Sequence, residues 1–342
     1  MNPSFAYDSQ SEAESWLYTV PRTALRFEPH YQARLWGGRR LETVMHRRLP
    51  DATTAYGESW ELCDRPECES RVVEGDYAGL TLHDLWRNHR REVFGPALMA
   101  HPSRRYPLLM KILDASEGLS VQVHPPPKLA VLFGGEPKTE VWYVAATEPG
   151  SKVYAGLKKG VTEDAFVEAA ENGTCADMLH SIEMHQGESM FVPSGRVHAL
   201  GAGLIVFEIQ QNSDTTYRIF DWNRVDAQGK ARELHLDVGL DCIDFRDIEP
   251  EPRPALDNGV IAKCPFFEVI VRTAQIEETR QLGEYGEHLV IILVRGHAEM
   301  AGLDARPGDF LMIPASLDDS ERLVRPKGVY QVKWLEIRIP TE

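Results

Sequence analysis

The stretch GESMFVPSGRVHALG, residues Gly187–Gly201, decides the fold of this chain. Two apolar residues lead into a Pro-x-Gly turn at Pro193, and a second apolar run follows at Leu204–Ile209. This order predicts strand, tight turn and strand, with His198 near the start of the second strand. Because side chains alternate between faces along a strand, His198 can point into the interior of a β-structure. Taken alone, the stretch also fits an ordinary hairpin with a structural core histidine.

The spacing Gly-x5-Pro-x-Gly-x2-His in this stretch resembles the second signature motif of the cupins. The first cupin motif is a His-x-His pair followed by a glutamate, and here the corresponding positions are Gln122, His124 and Glu140. Gln122 and His124 lie two residues apart in an alternating segment, so they face the same side of a predicted strand. Together with His198, the resemblance implies a Gln/His/Glu/His set drawn from three strands.

These four ligand types indicate the kind of metal and substrate. Two imidazoles, one carboxylate and one amide suit one catalytic divalent metal per chain, in the first place Zn²⁺, with room for a substrate. Iron, manganese and cobalt accept the same ligand types. A divalent cation beside one carboxylate carries a net charge of about +1, which favours an anionic or polyol substrate.

Longer segments resemble the type I mannose-6-phosphate isomerases of the cupin superfamily. They span Trp36–His235 and read, in chain order, WGGRRL, YGESWEL, LSVQVHP, PKTEVWYV, VPSGRVHALGAG, FEIQQNSDTTYRIFDW and GKARELH. The chain departs from the family pattern at Pro126-Pro127, where two aspartates are common, and at Glu136-Pro137, where a glycine is more usual. Neither change replaces a proposed ligand, but both leave the loop shape and the substrate preference open.

The resemblance implies interconversion of mannose 6-phosphate and fructose 6-phosphate. This isomerisation moves a proton between C1 and C2 through a cis-enediol, which requires a base, an acid or shuttle, and stabilisation of the sugar oxygens. By resemblance, Arg218 is the catalytic arginine and Glu208 a pocket carboxylate near it. Lys138 lies two residues before Glu140 and can place a charge beside the metal. The base stays open between Glu208, Lys138 and a metal-bound water.

Arg218 has a second interpretation from the residues alone. An arginine binds phosphate or carboxylate bidentately, which makes Arg218 a candidate for contact with an anionic substrate. It can equally form a structural salt bridge to Asp221, three residues on, or to Asp214.

Two other classes of function remain as alternatives. One is a different metal-dependent cupin enzyme such as an oxygenase, although Gln122 in place of the first histidine argues against it. The other is a non-catalytic sugar-binding cupin. The complete ligand set together with a charged cluster argues against mere binding. A coupled assay with mannose 6-phosphate, with and without a chelator, separates the three classes.

The expected fold is all-β, with two cupin-like jelly-roll barrels and a small helical insertion. An extension at residues 1–20 precedes a metal-binding barrel at 21–248, which carries the helical insertion near 158–182. The Pro-rich segment Glu249–Asn258 is typical of a linker. A second barrel at 259–342 is expected to be metal-free, with its histidines in structural or surface positions.

Three local features carry further expectations. Lys111 interrupts the apolar segment Tyr106–Leu113, where it lies at a strand edge, extends its charged end toward solvent, or contacts substrate. Glu58, within GESWEL, is a functional carboxylate or a solvent-facing charge. Thr81, followed by Asp84 three residues later, predicts the capped start of a short helix.

Composition and charge limit the partners and the compartment that the chain can have. The chain has 342 residues and a formal net charge of −15, which argues against a nucleic-acid partner. Five scattered cysteines favour reduced thiols in the cytoplasm over a disulfide framework. The N-terminal residues lack the pattern of a signal peptide, and no segment approaches the roughly 18 apolar residues that span a membrane. A membrane association is therefore not expected, and the oligomeric state stays open.

Overall fold

The computed structural model describes residues 20–226 and 228–341. The structure is mostly β, with 38% of residues in strands and 14% in helices, which confirms the expected class. The predicted N-terminal extension, at residues 1–20, lies outside the described residues except for Val20. Among the described residues, no helix has the length and apolarity needed to cross a membrane.

The chain divides into two compact units that are each discontinuous in sequence. The site unit comprises residues 29–63 and 107–266, and the second unit comprises 20–28, 64–106 and 267–341. The sequence-based boundaries at 21–248 and 259–342 are continuous and therefore differ from this division. The physical reason is strand pairing at long range: Leu25 pairs with Met312, which places the start of the described chain in the second unit. Local sequence patterns do not record such pairing.

Two antiparallel sheets build the site unit, with strands numbered in chain order. The first sheet contains, in spatial order, Ser189–Val192 (β11), Glu140–Thr147 (β8), Leu204–Gln211 (β13), Leu108–Ala115 (β6), Tyr56–Leu62 (β3) and His30–Gly38 (β2). The second contains Leu179–Glu183 (β10), Lys152–Leu157 (β9), His198–Leu200 (β12), Val121–Val123 (β7) and Tyr217–Phe220 (β14). Strands are present on both sides of Pro193, as β11 and as β12, which begins at His198. The two strands lie in different sheets and form no hairpin, and the apolar run from Leu204 belongs to a separate strand, β13.

An apolar core lies between these two sheets. Trp142 and Val206 from the first sheet share one cluster of buried side chains with Val153 and Leu200 from the second. Because alternate residues of a strand share a face, Glu208 on β13 faces the same side as Val206. The sequence places a carboxylate on the interior face of the sheet, where an apolar core gives way to a polar site.

The outer face of the second sheet is covered by a helix. Glu163–Glu171 (α5) begins after Thr162, whose side chain accepts a hydrogen bond of 3.3 Å from the backbone N–H of Ala165. Phe166 of this helix shares a buried apolar cluster with Val121 of β7. The helix and the 3₁₀ turn Cys175–Met178 lie in the segment where helical structure was expected.

The site unit also contains three shorter helices and one further strand, namely Arg40–Thr43 (α1), Pro127–Phe133 (α4), Leu236–Asp241 (α6) and Gly259–Lys263 (β15). The helix α4 was not predicted, because Pro126-Pro127 suggested a loop. Proline is nevertheless favourable in the first turn of a helix, where its missing N–H has no partner to lose. Gly134 ends the helix with φ 68° in the left-handed region, which glycine adopts without steric cost.

The second unit also contains two antiparallel sheets. One has, in order, Leu25–Arg26 (β1), Phe310–Ile313 (β21), Leu289–Arg295 (β18), Val332–Arg338 (β23) and Glu268–Ala274 (β16). The other has Arg280–Gln281 (β17), Leu323–Lys327 (β22), His297–Met300 (β19) and Leu303–Ala305 (β20). Alternate residues of β18, namely Leu289, Ile291 and Leu293, enter the core that also holds Val324 of β22.

Short elements between residues 64 and 106 complete the second unit. They are the paired strands Asp64–Arg65 (β4) and Cys68–Glu69 (β5), the helices Leu82–Asn88 (α2) and Arg90–Phe94 (α3), and the 3₁₀ turn Pro96–Leu98. The capping box predicted at the start of α2 is confirmed: Thr81 and Asp84 each bond the other's backbone N–H. Two otherwise unpaired N–H groups are thereby satisfied.

Candidate metal centre and active-site cavity

A row of neighbouring residues crosses the second sheet at the site. Gln122 of β7 lies opposite His198 of β12 on one side and opposite Arg218 of β14 on the other. Directly opposed residues in a sheet present their side chains to the same face. The register therefore brings together two predicted ligands and the predicted catalytic arginine, which are far apart in the sequence.

Glu140 faces this row from the first sheet. Its Oε2 lies 3.6 Å from Nε2 of His124, and its Oε1 lies 3.6 Å from Nε2 of His198. The amide nitrogen of Gln122 lies 3.2 Å from the same His198 nitrogen. The two histidines and the glutamate are fully buried. The structure thus brings all four predicted metal ligands into one cluster.

The hydrogen bonds at Nδ1 of the two histidines direct Nε2 of each ring toward Glu140. Nδ1 of His124 lies 2.9 Å from the backbone oxygen of Thr215, and Nδ1 of His198 lies 2.8 Å from that of Arg196. A carbonyl oxygen only accepts, so each Nδ1 carries the proton and each Nε2 presents a lone pair. Metal-binding histidines are commonly oriented in this way.

Buried atoms without a partner support the fit to a cation. Among the described residues, Nε2 of His124 and Oε1 of Glu140 have no hydrogen-bond partner. Two imidazole lone pairs directed at a buried carboxylate repel it, and leaving such groups unpaired is costly. A divalent cation between them removes both costs. His124, Glu140 and His198 therefore fit a metal, and Gln122 adds an amide beside them.

Burial keeps both histidines neutral, which is the state that binds metal. The pKa of His198 is lowered to about 3, mainly because burial disfavours the imidazolium. The pKa of His124 is also well below its usual value, through burial and then the nearby charge of Lys138. Burial, and then repulsion by Glu208, raises the pKa of Glu140 to about 7. A bound cation would favour the ionised carboxylate.

Lys138 connects the metal cluster to Glu208. Its Nζ lies 2.7 Å from Oε2 of Glu140 and 3.5 Å from Oε1 of Glu208. Burial acts to lower the pKa of Lys138, but the two carboxylates outweigh it, and the pKa lies above its usual range. Burial acts to raise the pKa of Glu208, but the charges of Lys138 and Lys111 outweigh burial, and the pKa is lowered. The lysine is therefore protonated and Glu208 ionised.

A second row of residues crosses the first sheet. Lys111 of β6 lies opposite Trp60 on one side and opposite Glu208 on the other, and Glu208 in turn lies opposite Trp142. The indole N–H of Trp142 donates a 3.1 Å hydrogen bond to Oε2 of Glu208, which leaves Oε1 between the two lysines. Lys111 is buried in a central strand, which excludes the strand edge among the positions considered for it.

A cavity of about 470 Å³ opens onto both rows. Its lining includes Gln122, Lys138, Glu208 and Arg218, together with further charged residues that are Arg34, Glu58, Lys111, Asp214 and Arg232. The volume lies within the roughly 300–1,000 Å³ range of small-molecule sites. Of the predicted catalytic residues, all three therefore line one cavity beside the metal cluster.

Arg218 does not form the structural salt bridge considered from the sequence. The carboxylate of Asp221 bonds Arg224 and Arg232 instead, at 2.6 and 2.7 Å. Arg218 donates a 2.8 Å hydrogen bond from Nη1 to the backbone oxygen of Glu233. Its buried Nε has no hydrogen-bond partner among the described residues. Burial, and then repulsion by Arg232, lowers the pKa of Arg218.

Sequence reasoning missed part of this cavity. The sequence left Lys111 and Glu58 open between structural and functional roles, and both residues line the cavity. A lysine inside an apolar strand was the available signal for Lys111. Arg34 and Arg232 carried no such signal, because neither interrupts an apolar run. Only the pairing of strands β2, β3 and β6 brings Arg34 to Glu58.

The chain resembles known proteins over most of its length. A family model for the catalytic domain of type I phosphomannose isomerase matches residues 24–134. Mannose-6-phosphate isomerase ManA of Bacillus subtilis is 33% identical over 308 residues, which cover 86% of this chain and 94% of that protein. The structure of the mannose 6-phosphate isomerase from Bacillus subtilis has a TM-score of 0.76 at 26% identity and covers 93% of this chain and 100% of that one.

A zinc-bound mannose 6-phosphate isomerase is similar in fold. Its structure has a TM-score of 0.70, and the match covers 93% of this chain and 100% of that chain. The identity is 15%, so this likeness concerns the fold alone. The curated relative, at 33% identity over nearly its whole length, is what establishes kinship. This chain therefore belongs to the type I mannose-6-phosphate isomerase family.

Proposed function

We propose that this chain interconverts mannose 6-phosphate and fructose 6-phosphate, with one divalent metal held by Gln122, His124, Glu140 and His198. The observation that carries the proposal is the approach of two histidine Nε2 atoms to the buried carboxylate of Glu140, each at 3.6 Å. Family membership favours an isomerase over the sugar-binding and oxygenase alternatives.

Zn²⁺ is the metal that this ligand set suits best. Two neutral imidazoles and one carboxylate match the ligands of catalytic zinc sites, and Gln122 places an amide group beside them. When bound, the metal supplies Lewis acidity toward oxygen atoms of the substrate.

Glu208 is the group that we assign as general base. Its low pKa keeps the carboxylate ionised at neutral pH, and Oε1 has no hydrogen-bond partner among the described residues. Lys138 cannot accept a proton while its pKa lies above the usual range. Glu208 then accepts the C2 proton of open-chain mannose 6-phosphate while O1 gains a proton, which gives the cis-enediol. Glu208 returns its proton to C1 as the hydroxyl at O2 loses its own proton, which yields fructose 6-phosphate.

The cations of the cavity stabilise negative charge on the sugar oxygens during this transfer. Lys138 is held protonated and donates toward O1 or O2 as electron density moves to them. Arg218 lines the same cavity, and its guanidinium, whose Nε bonds none of the described residues, suits an oxyanion or a phosphate. Lys138 and Glu208 are both buried, which strengthens the interaction between their charges.

The two pairs of sheets support a finer description of the fold. We interpret each unit as a cupin-like barrel, with the metal centre in the site unit and the second unit metal-free. In the second unit, Nε2 of His288 lies 3.0 Å from the hydroxyl of Tyr106, and Nε2 of His297 lies 2.7 Å from Asp304. These contacts support structural roles for both histidines.

The cysteines and the net charge support a cytoplasmic enzyme with a small-molecule partner. None of the five cysteines, which all belong to the described part of the chain, forms a disulfide, and this suits the reducing conditions of the cytoplasm. The partner is a small sugar phosphate, and the acidic net charge of −15 disfavours nucleic acid.

A coupled assay tests the proposal. Mannose 6-phosphate is supplied, fructose 6-phosphate is measured, and the protein is assayed before chelation, after chelation and after Zn²⁺ is restored. The proposal expects activity that chelation removes and Zn²⁺ recovers. Turnover that persists in a fully metal-stripped sample would contradict the role of the metal, and no turnover in a metal-replete sample would contradict the reaction.

A further inference from the structure

A wide bulge in strand β2 shapes one wall of the cavity. Ala33 and Gly38 both pair with Tyr56, so the pairing register with β3 shifts across the four residues between them. Arg34 is one of these residues, and it lines the cavity. A Cβ atom at Gly57 would lie 2.7 Å from Cβ of Arg34, so only glycine permits this close approach. Bulges next to active sites commonly redirect a side chain in this way.

The bulge delivers Arg34 to Glu58. Nε of Arg34 donates a 2.7 Å hydrogen bond to Oε1 of Glu58, while the indole N–H of Trp60 donates to Oε2 at 2.6 Å. Burial acts to raise the pKa of Glu58, but Lys111 and Arg34 outweigh it and lower the pKa to about 2. The carboxylate is therefore ionised, and three donors or cations surround it.

The ammonium group of Lys111 lies at equal distances from two carboxylates. Its Nζ lies 3.6 Å from Oε2 of Glu58 and 3.6 Å from Oε1 of Glu208, and 4.8 Å from the ring centroid of Trp60. These separations are too long for hydrogen bonds, and Lys111 makes none with the described residues. The ammonium group thus lies at the cavity with its donors available to a bound oxygen atom.

We propose that Arg34 is a positioning residue that acts through Glu58 to hold the ammonium group of Lys111 beside Glu208. By neutralising Glu58, Arg34 reduces the pull of that carboxylate on Lys111. Without Arg34, Lys111 is the main counter-ion of Glu58 and moves toward it, away from Glu208. The inference rests on the proposed function, because it concerns the same cavity and the same base.

Three single variants test whether Arg34 matters for the reaction. Arg34→Gln removes the charge, Arg34→Lys restores it, and Arg47→Gln is the matched control. Arg47 forms a similar 2.8 Å pair with Glu61 on the same strand β3 but does not line the cavity. We expect Arg34→Gln to lose about 10- to 100-fold in kcat, because small displacements of catalytic groups are costly. Arg34→Lys should recover most of the loss, and Arg47→Gln should keep the kcat of the natural protein.

A double-mutant cycle tests whether Arg34 acts through Glu58. In the Glu58→Gln background, Arg34→Gln should cost less than about two-fold in kcat, because the residue that transmits the effect is gone. The same loss in both backgrounds would show that Arg34 contacts substrate directly and would overturn the inference. A fall in melting temperature with unchanged kcat would make Arg34 merely structural and would also overturn it.

An NMR measurement that does not depend on catalysis separates this inference from the proposed function. In protein labelled with ¹³C at the lysine ε-carbons, the signal of Lys111 is assigned by its loss in Lys111→Arg. We expect this signal to shift in Arg34→Gln, but not in Arg47→Gln. A shift in a protein that does not isomerise mannose 6-phosphate would retain the positioning role and reject the function. An unshifted signal in an active protein would reject the positioning role alone.

Discussion

Lys111 and Glu208 lie opposite each other on neighbouring strands of one sheet, with Nζ and Oε1 3.6 Å apart. Lys138 approaches the same oxygen at 3.5 Å from a different part of the chain. Two ammonium groups therefore flank one carboxylate oxygen at the cavity. Such an arrangement keeps a carboxylate ionised inside a protein, where burial alone would protonate it. The proposed base of the isomerase depends on this pair of lysines.

The metal content should depend on His198. We expect the purified natural protein to hold about one divalent metal per chain and His198→Ala to lose most of it, because removal of one ligand weakens a site severely. Elemental analysis of both proteins, alongside a melting curve, is the measurement. Full metal occupancy in His198→Ala would remove this residue from the ligand set.

Arg218 should contribute to the transition state. Arg218→Lys keeps the charge but loses the planar fork, so we expect at least about a ten-fold loss in kcat with the metal retained. Steady-state kinetics on metal-replete protein measure the effect, and a melting curve controls for folding. A raised KM with unchanged kcat would instead assign Arg218 to substrate binding.

Glu208→Gln should lose most of the activity, although the glutamine side chain has nearly the same shape as the glutamate. The amide cannot accept the C2 proton, and general base catalysis typically contributes about 10²–10⁴-fold in rate. Metal content should stay near that of the natural protein, because Glu208 is not one of the proposed ligands. Exchange of the C2 hydrogen of the substrate with solvent, followed by NMR, reports the proton transfer itself. Undiminished exchange in Glu208→Gln would point to another base.

The ionisation of Glu58 should make the free energy of unfolding depend on pH in the acid range. Its pKa falls from 4.5 to about 2 on folding, so its contribution is present above about pH 4.5 and is lost as the pH falls toward 2. The full shift corresponds to roughly 3 kcal/mol, since each unit of pKa is about 1.4 kcal/mol. Urea unfolding between pH 5 and 3 should show a steeper loss of stability in the natural protein than in Glu58→Gln. Parallel pH dependences would contradict this role for the carboxylate.

Histidines of the second unit should affect stability without affecting metal. His288→Ala leaves the buried hydroxyl of Tyr106 without its 3.0 Å partner, which we expect to cost about 1–3 kcal/mol in unfolding free energy. His297→Ala, at a half-exposed position, should cost less. Both variants should keep the metal content and kcat of the natural protein. A folded variant that loses metal would place a metal site in the second unit.

Local patterns in the sequence were sufficient for the class of fold and for placing the proposed ligands His198 and Gln122 on strands. His198 begins a strand after a Pro-x-Gly turn, and Gln122 shares a strand face with its neighbour two residues on, because alternation is a local property of an extended chain. The capping box at Thr81 follows equally from residues within one helical turn.

Only the tertiary structure decided the remainder of the cavity and the division of the chain. Lys111 meets Glu208 because β6 and β13 pair in one register, and Arg34 reaches Glu58 because a bulge turns it inward. Leu25 joins the second unit through a strand partner, Met312, at the other end of the chain. Pairing between distant strands depends on the free energy of the whole packed core, which no short segment of sequence contains.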